Sequence, residues 1–136
     1  MKEIVFYALV AVLTALECSL ILVGILPPMS SYSTSQLVLN IASIAAVIYM
    51  GWTFTKTGMK KVAMKGAIAG GIIVTITLLS AIIGISAGIP VLGMAIQHEM
   101  LPLAFLSIAV SNVLLFTIFA VLGAFLARKL QKNAKK

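Results

Sequence analysis

Four long apolar stretches, separated by short polar segments, dominate the pattern of residues along the chain. They cover roughly residues 4–26, 37–54, 66–89 and 103–126. At about 1.5 Å per residue in a helix, each stretch is long enough to cross a hydrocarbon core of about 30 Å. The pattern therefore predicts an all-α membrane protein, in which residues 1–136 form a single four-helix transmembrane domain.

The basic residues all flank the same ends of these stretches. One precedes the first stretch, four lie between the second and third, and five follow the fourth. They are Lys2; Lys56, Lys60, Lys61 and Lys65; and Arg128, Lys129, Lys132, Lys135 and Lys136. Because Lys and Arg are retained on the cytoplasmic side of a membrane, both termini and the middle connection are predicted to be cytoplasmic. The four helices would then form two hairpins of the same orientation.

The two remaining connections carry no Lys or Arg and differ from each other. Residues 27–36 are polar and rich in Ser, whereas residues 88–102 form a longer connection that is apolar as far as Gln97. Because the apolar part of this second connection is too short to span a bilayer, it predicts a short interfacial or re-entrant segment near residues 91–100.

His98 and Glu99 form a titratable pair at the predicted outer rim, just before the fourth stretch. A metal site normally needs three or four protein ligands, and this pair supplies too few. The single cysteine, Cys18, excludes an intrachain disulfide and a cysteine metal cluster. We therefore expect no metal and no cofactor, and we interpret the pair as solvated interfacial residues.

The second and fourth stretches share a spacing of polar, small and basic residues. An Asn, a Gly and a basic residue recur at an offset of 72 positions. They are Asn40, Gly51 and Lys56 in one case, and Asn112, Gly123 and Arg128 in the other. The recurrence suggests two related hairpins. However, any two spans aligned by their charged ends look alike, and this alternative is about equally favoured.

Small residues follow one face of the third stretch, in two GxxxG patterns joined by further small residues. The members of this face are Gly66, Gly70, Thr77, Ala81, Gly84 and Gly88. Lipid supplies no hydrophobic force between helices, so close backbone contact at small residues carries much of the packing. We interpret the face as packing within the chain, in preference to a homodimer interface.

A few polar residues lie at a similar depth within the predicted spans. Glu17, Asn40, Ser80 and Asn112 lie roughly 19–24 Å from the cytoplasmic ends, and Thr14 lies one turn from Glu17. A carboxylate there costs about 2.5–3.5 kcal/mol even on a lenient scale, so it normally faces a bundle interior or water. We expect Glu17 to be protonated, hydrogen-bonded to Asn40 or Asn112, or hydrated in a cavity. The five residues form a candidate intramembrane polar site.

Composition narrows the classes of function. Of the 136 residues, 62% are hydrophobic and 10% are charged, which leaves no room for a soluble domain beside four spans. The formal charge of +7 lies at the ends of the spans, where it suits anionic lipid headgroups better than nucleic acid. Because the chain has no Ser–His–Asp set and no paired carboxylates on one face, we expect no enzyme.

Three classes of function remain open. The sequence narrowly favours a structural or accessory subunit, which would pack through its glycine-rich helix faces against other membrane subunits or against itself. The alternative is a small homo-oligomeric transporter or channel that binds a proton or cation at Glu17. A holin-like pore former is suggested only by the small size and the basic tail.

Overall fold

The structure, a computed structural model, describes residues 2–31, 33–93 and 101–134. These residues form four α-helices, all long and apolar enough to span a membrane. The helices are α1 (Glu3–Leu22), α2 (Thr34–Thr53), α3 (Met59–Ser86) and α4 (Leu101–Asn133). Two short 3-10 helices, Met29–Ser31 and Thr55–Thr57, lie in the connections. The prediction of an all-helical protein with four helices long and apolar enough to span a membrane is confirmed.

The helix boundaries differ from those of the apolar stretches. α3 begins at Met59 and α4 continues to Asn133, because Lys and Arg are good helix formers once a helix has left the hydrocarbon. In contrast, α1 ends at Leu22, where the chain turns before Pro27. The connection between α2 and α3 is therefore shorter than the distance in sequence from the first to the last of the lysines that the apolar pattern places in it, because α3 already begins at Met59.

Local sequence fixes the ends of α2 and α3. The Ser33 hydroxyl accepts from the backbone N–H of Gln36 at 3.4 Å, and the Gln36 side-chain oxygen accepts from the Ser33 N–H at 3.0 Å, which completes a capping box. At the end of α3, Gly88 has φ 72°, a left-handed conformation that favours glycine. Gly88 thus lies beyond the helix, and no described atom lies within 4 Å of a Cβ added there. Gly88 therefore lies past the helical part of the predicted packing face.

The helices pack so that α1 and α4 each contact both α2 and α3. α4 packs most extensively against α3 and then against α2, whereas α2 and α3 contact each other little. We call the end of the bundle that carries Lys2, Lys60 and Arg128 the basic end. The buried core lies mainly in the half of the bundle nearest this end, and includes Phe6, Val10, Val47, Met50, Val62, Ala69, Phe116, Ala120 and Ala124.

α2 and α4 are in backbone contact at two glycines. A Cβ added to Gly51 would overlap the carbonyl oxygen of Ala120, and one added to Gly123 would overlap the carbonyl oxygen of Ile48. The two contacts are reciprocal, and they are related by the same offset of 72 positions that the sequence shows. Because helices approach this closely only at small residues, the recurring glycines have a packing role of their own.

An ion pair packed on an aromatic ring lies at the basic end. Lys65 of α3 is buried and pairs with Glu3 of α1. Its ammonium lies 4.8 Å from the centroid of the Phe54 ring, which packs edge-on against Phe6 at 6.0 Å. Although the sequence places Lys65 in a cytoplasmic connection, the structure places it within α3, where it joins α1 to the end of α2.

At the opposite end, the connection between α1 and α2 contacts the segment that follows α3 through one backbone hydrogen bond, and a second hydrogen bond ties that connection to α2. The backbone N–H of Met29 donates to the carbonyl oxygen of Val91 at 2.9 Å, and Gln36 Nε2 donates to the carbonyl oxygen of Pro27 at 2.7 Å. Residues 91–93 are not helical. The rest of the predicted interfacial or re-entrant segment lies outside the described residues.

Candidate functional site

A cavity of about 370 Å³ lies between the four helices, in the half of the bundle away from the basic end. Each helix contributes polar side chains to its wall: Thr14 and Glu17 from α1, Gln36, Asn40 and Ser43 from α2, Thr77 from α3, and Asn112 from α4. Ile73, Ile108 and Phe116 add apolar surface. The cavity is therefore a mixed polar and apolar chamber within the predicted membrane region.

The packing of α4 explains where the cavity lies. Every buried residue of this helix falls between Phe116 and Ala127. Before Phe116, α4 has no buried residue, although its backbone at Asn112 and Val113 still contacts Gly70 of α3. This difference leaves room between the helices for a cavity.

Glu17 is the only ionisable residue among the described residues that line the cavity. α1 presents it on the same face as Thr14, and both side chains are buried. The side chain of Asn40 lies close enough to interact with the Glu17 carboxyl group. The structure thus places a neutral amide and a cavity, and no described Lys or Arg, beside this carboxyl group.

Four of the five residues of the predicted polar site line the cavity: Thr14, Glu17, Asn40 and Asn112. Ser80 does not. Its hydroxyl donates to the carbonyl oxygen of Ile76, one turn earlier in α3, at 2.8 Å. Residue counts along a span give depth but not the face of the helix, and α3 presents Thr77 to the cavity instead.

Gln36 and Ser43 also line the cavity, although the sequence did not single them out. They lie four residues before and three residues after Asn40. Residues at this spacing share one helix face, so helical spacing from Asn40 is the pattern that would have found them.

Two side chains that line the cavity donate hydrogen bonds to backbone carbonyls of their own helices, and their oxygen atoms remain available as acceptors. Thr14 Oγ1 donates its single proton to the carbonyl oxygen of Val10 at 2.9 Å, so this hydroxyl retains only lone pairs. Asn112 Nδ2 donates to the carbonyl oxygen of Ile108 at 2.9 Å, and the side-chain oxygen of Asn112 remains an acceptor. Together with the Glu17 carboxyl group, these atoms suit a proton or a cation.

The first two glycines of the predicted packing face contact α4. A Cβ added to Gly66 would lie 2.6 Å from the carbonyl oxygen of Phe116, and one added to Gly70 would lie 2.8 Å from the Cα of Val113. These contacts leave no room for a side chain. Both glycines therefore pack within the chain.

The other residues of this face have different surroundings. A Cβ added to Gly84 would lie 2.5 Å from the carbonyl oxygen of Ile89, so this glycine packs against the connection that follows α3. Ala81 is buried, and Thr77 is both buried and part of the cavity wall. Along α3, the residues of this face thus first contact α4, then line the cavity, and then contact the turn that follows the helix.

The predicted outer-rim residues His98 and Glu99 lie outside the described residues. Within residues 2–31, 33–93 and 101–134, no group of three or more His, Cys, Asp or Glu side chains could hold a metal ion. This finding leaves the rim pair itself untested.

Comparisons with protein family models, with curated proteins and with solved structures find no match for this chain. What the protein does is therefore inferred from the cavity and the residues around it.

Proposed function

We propose that the protein is a small membrane transporter that carries a proton or a monovalent cation at Glu17. The observation that supports this most is that Glu17 is buried, with 7% of its surface exposed, and lines a cavity instead of facing a basic side chain. Acidic residues within spans normally belong to ion or proton pathways. A carboxyl group that holds either a proton or a cation, but not both, couples the movements of the two.

We propose that the basic end lies at the cytoplasmic face against anionic headgroups. The chain then forms two hairpins of the same orientation, both termini are cytoplasmic, and the cavity lies toward the outside. In a Cys18→Ser background, an impermeant thiol reagent applied to intact cells should label Ser33→Cys and not Lys60→Cys. Labelling of position 60 alone would reverse the proposed orientation.

The function is tested by proton movement in proteoliposomes under an imposed pH gradient, followed with an internal pH-sensitive dye. We expect the wild-type protein to dissipate the gradient and Glu17→Gln to lose this activity, because glutamine keeps the size of the side chain but cannot exchange a proton. Ser80→Ala is the matched control, since Ser80 lies at a similar depth outside the cavity. Equal fluxes for wild type and Glu17→Gln would refute the proposal.

The accessory-subunit interpretation remains the rival. It relies on glycine faces, but Gly66 and Gly70 already contact α4 of the same chain, which argues against a docking role for these two residues. Equal fluxes in the liposome experiment would make the accessory subunit the better interpretation. We further propose that the protein has no catalytic role, and that its partners are lipids and membrane proteins, not nucleic acid.

A further inference from the structure

We propose that the cavity binds a compact primary ammonium ion, in which the ammonium group is attached to a short apolar body. The inference rests on the proposed function, because it names the kind of cation that Glu17 binds. It draws on three features of the cavity: its charge, the hydrogen-bonding state of its lining groups, and its size with its apolar walls.

The charge and the acceptors match an ammonium group. Glu17 supplies one negative charge when ionised, and no other described lining residue carries a charge. Thr14 Oγ1 and the side-chain oxygen of Asn112 are acceptors, because the Thr14 hydroxyl proton and one N–H of the Asn112 amide are directed to backbone carbonyls. A primary ammonium has three N–H donors and no acceptor, which matches these three groups in number and in kind.

The size and the walls of the cavity favour an organic cation over an inorganic one. A volume of about 370 Å³ lies near the lower end of the range of about 300–1,000 Å³ for small-molecule sites. An inorganic ion would leave water against the apolar walls at Ile73, Ile108 and Phe116, where it finds no hydrogen bonds. An alkyl chain packs against the same walls.

The acceptors also exclude a quaternary ammonium as the preferred ligand. A quaternary ion carries the same charge but has no N–H group, so Thr14 and Asn112 would be shielded from water without a partner. The cavity should therefore discriminate between two cations of similar size by their donors alone.

The experiment compares n-butylammonium, tetramethylammonium and potassium chlorides at equal ionic strength. Binding to the purified full-length protein in nanodiscs is measured by isothermal titration calorimetry. We expect n-butylammonium to bind at least about tenfold more tightly than tetramethylammonium, which corresponds to the loss of hydrogen bonds to a charged group. Glu17→Gln should abolish the binding of all three ions.

A matched pair of threonine variants tests the acceptor directly. Thr14→Val keeps the shape but removes the oxygen, and it should weaken n-butylammonium binding by about tenfold while leaving tetramethylammonium unaffected. Thr75→Val is the control, because Thr75 is exposed on α3 and its hydroxyl donates to the carbonyl oxygen of Gly71 at 2.8 Å in the same way. Thr75→Val should bind like wild type.

Two results would overturn the inference in different ways. Equal binding of n-butylammonium and tetramethylammonium, or tighter binding of potassium, would refute the ammonium assignment but leave cation transport at Glu17 intact. If no cation binds, and the liposome experiment shows no dependence on Glu17, the inference and the proposed function both fail.

Discussion

The two halves of the bundle are held together in different ways. In the half near the basic end, α2 and α4 touch through Gly51 and Gly123, and the buried Lys65 pairs with Glu3. In the other half, the helices separate around a cavity whose wall carries Glu17. One half has close backbone contacts and a buried core, whereas the other retains polar side chains around a space.

The comparison shows how a small membrane protein accommodates a carboxyl group within its spans. In lipid, helices associate through close packing and not through the hydrophobic effect. Tight packing in the basic half fixes the positions of all four helices. The other half can then leave space around polar groups, and this is the space that the proposed ligand would fill.

The largest effect on stability is expected from filling a glycine contact. Gly123→Ala places a methyl group against the carbonyl oxygen of Ile48, and Gly70→Ala places one against Val113. Each should lower the free energy of unfolding by about 1–3 kcal/mol or more, because overpacking forces backbones apart. Thermal unfolding in detergent measures the loss.

Gly71→Ala is the control for this prediction. Gly71 adjoins Gly70 in α3, but no described atom lies within 4 Å of a Cβ added there. Alanine in a helix interior is better than glycine by about 0.5–1 kcal/mol, so this variant should melt at or above the wild-type temperature. If all three variants melted alike, the helices would not be held together by backbone contact at Gly70 and Gly123.

The next largest effect is expected at the ion pair. Glu3→Gln leaves the buried Lys65 ammonium without its carboxylate and should cost about 1–2 kcal/mol, less than for a fully buried pair because the Glu3 side chain is 46% exposed. Adding Lys65→Met should restore part of the stability, since the unpaired charge is then removed. Lys60→Met, an exposed control on the same helix, should have little effect. A double variant less stable than Glu3→Gln would contradict the pairing.

The architecture was predictable because a membrane imposes simple requirements. Long apolar stretches must be helical to satisfy their backbone groups, so four stretches gave four helices. Their ends were less predictable. Apolar content does not show where a helix stops once it leaves the hydrocarbon. The continuation of α4 to Asn133 was therefore not predictable from the apolar stretch.

The candidate site was predictable by depth but not by direction. Glu17, Asn40 and Asn112 share a depth, and the structure brings them to one cavity. Ser80 has the same depth but does not line the cavity, because depth alone does not specify which side chains reach it. The ion pair at Lys65 was unpredictable, since it depends on how α1 and α3 pack.

A smaller effect is expected where a side chain crosses between helices in the basic half. Thr55 Oγ1 donates to the carbonyl oxygen of Ala124 in α4 at 2.9 Å. Thr55→Val should therefore cost about 0.5–1 kcal/mol, the usual contribution of such a bond between membrane helices. Thr53→Val is the control, because the Thr53 hydroxyl donates to Tyr49 within α2 and is exposed. Equal melting temperatures for the two variants would show that the bond to Ala124 contributes nothing.

The smallest effect on stability is expected from Glu17→Gln in the cavity half. Glutamine has the size of glutamate, its amide suits the neighbouring Asn40 amide as a hydrogen-bond partner, and the change leaves no unpaired charge behind. The free energy of unfolding in the absence of ligand should change by less than about 0.5 kcal/mol, as for substitutions that leave packing intact. Glu3→Gln, the same chemical change in the basic half, should cost several times more when both are measured by thermal unfolding in one detergent. A loss at Glu17 as large as that at Glu3 would mean that the carboxyl group holds the helices together. The cavity half would then be stabilised by charge as the basic half is, and the case for a ligand at Glu17 would lose its structural basis.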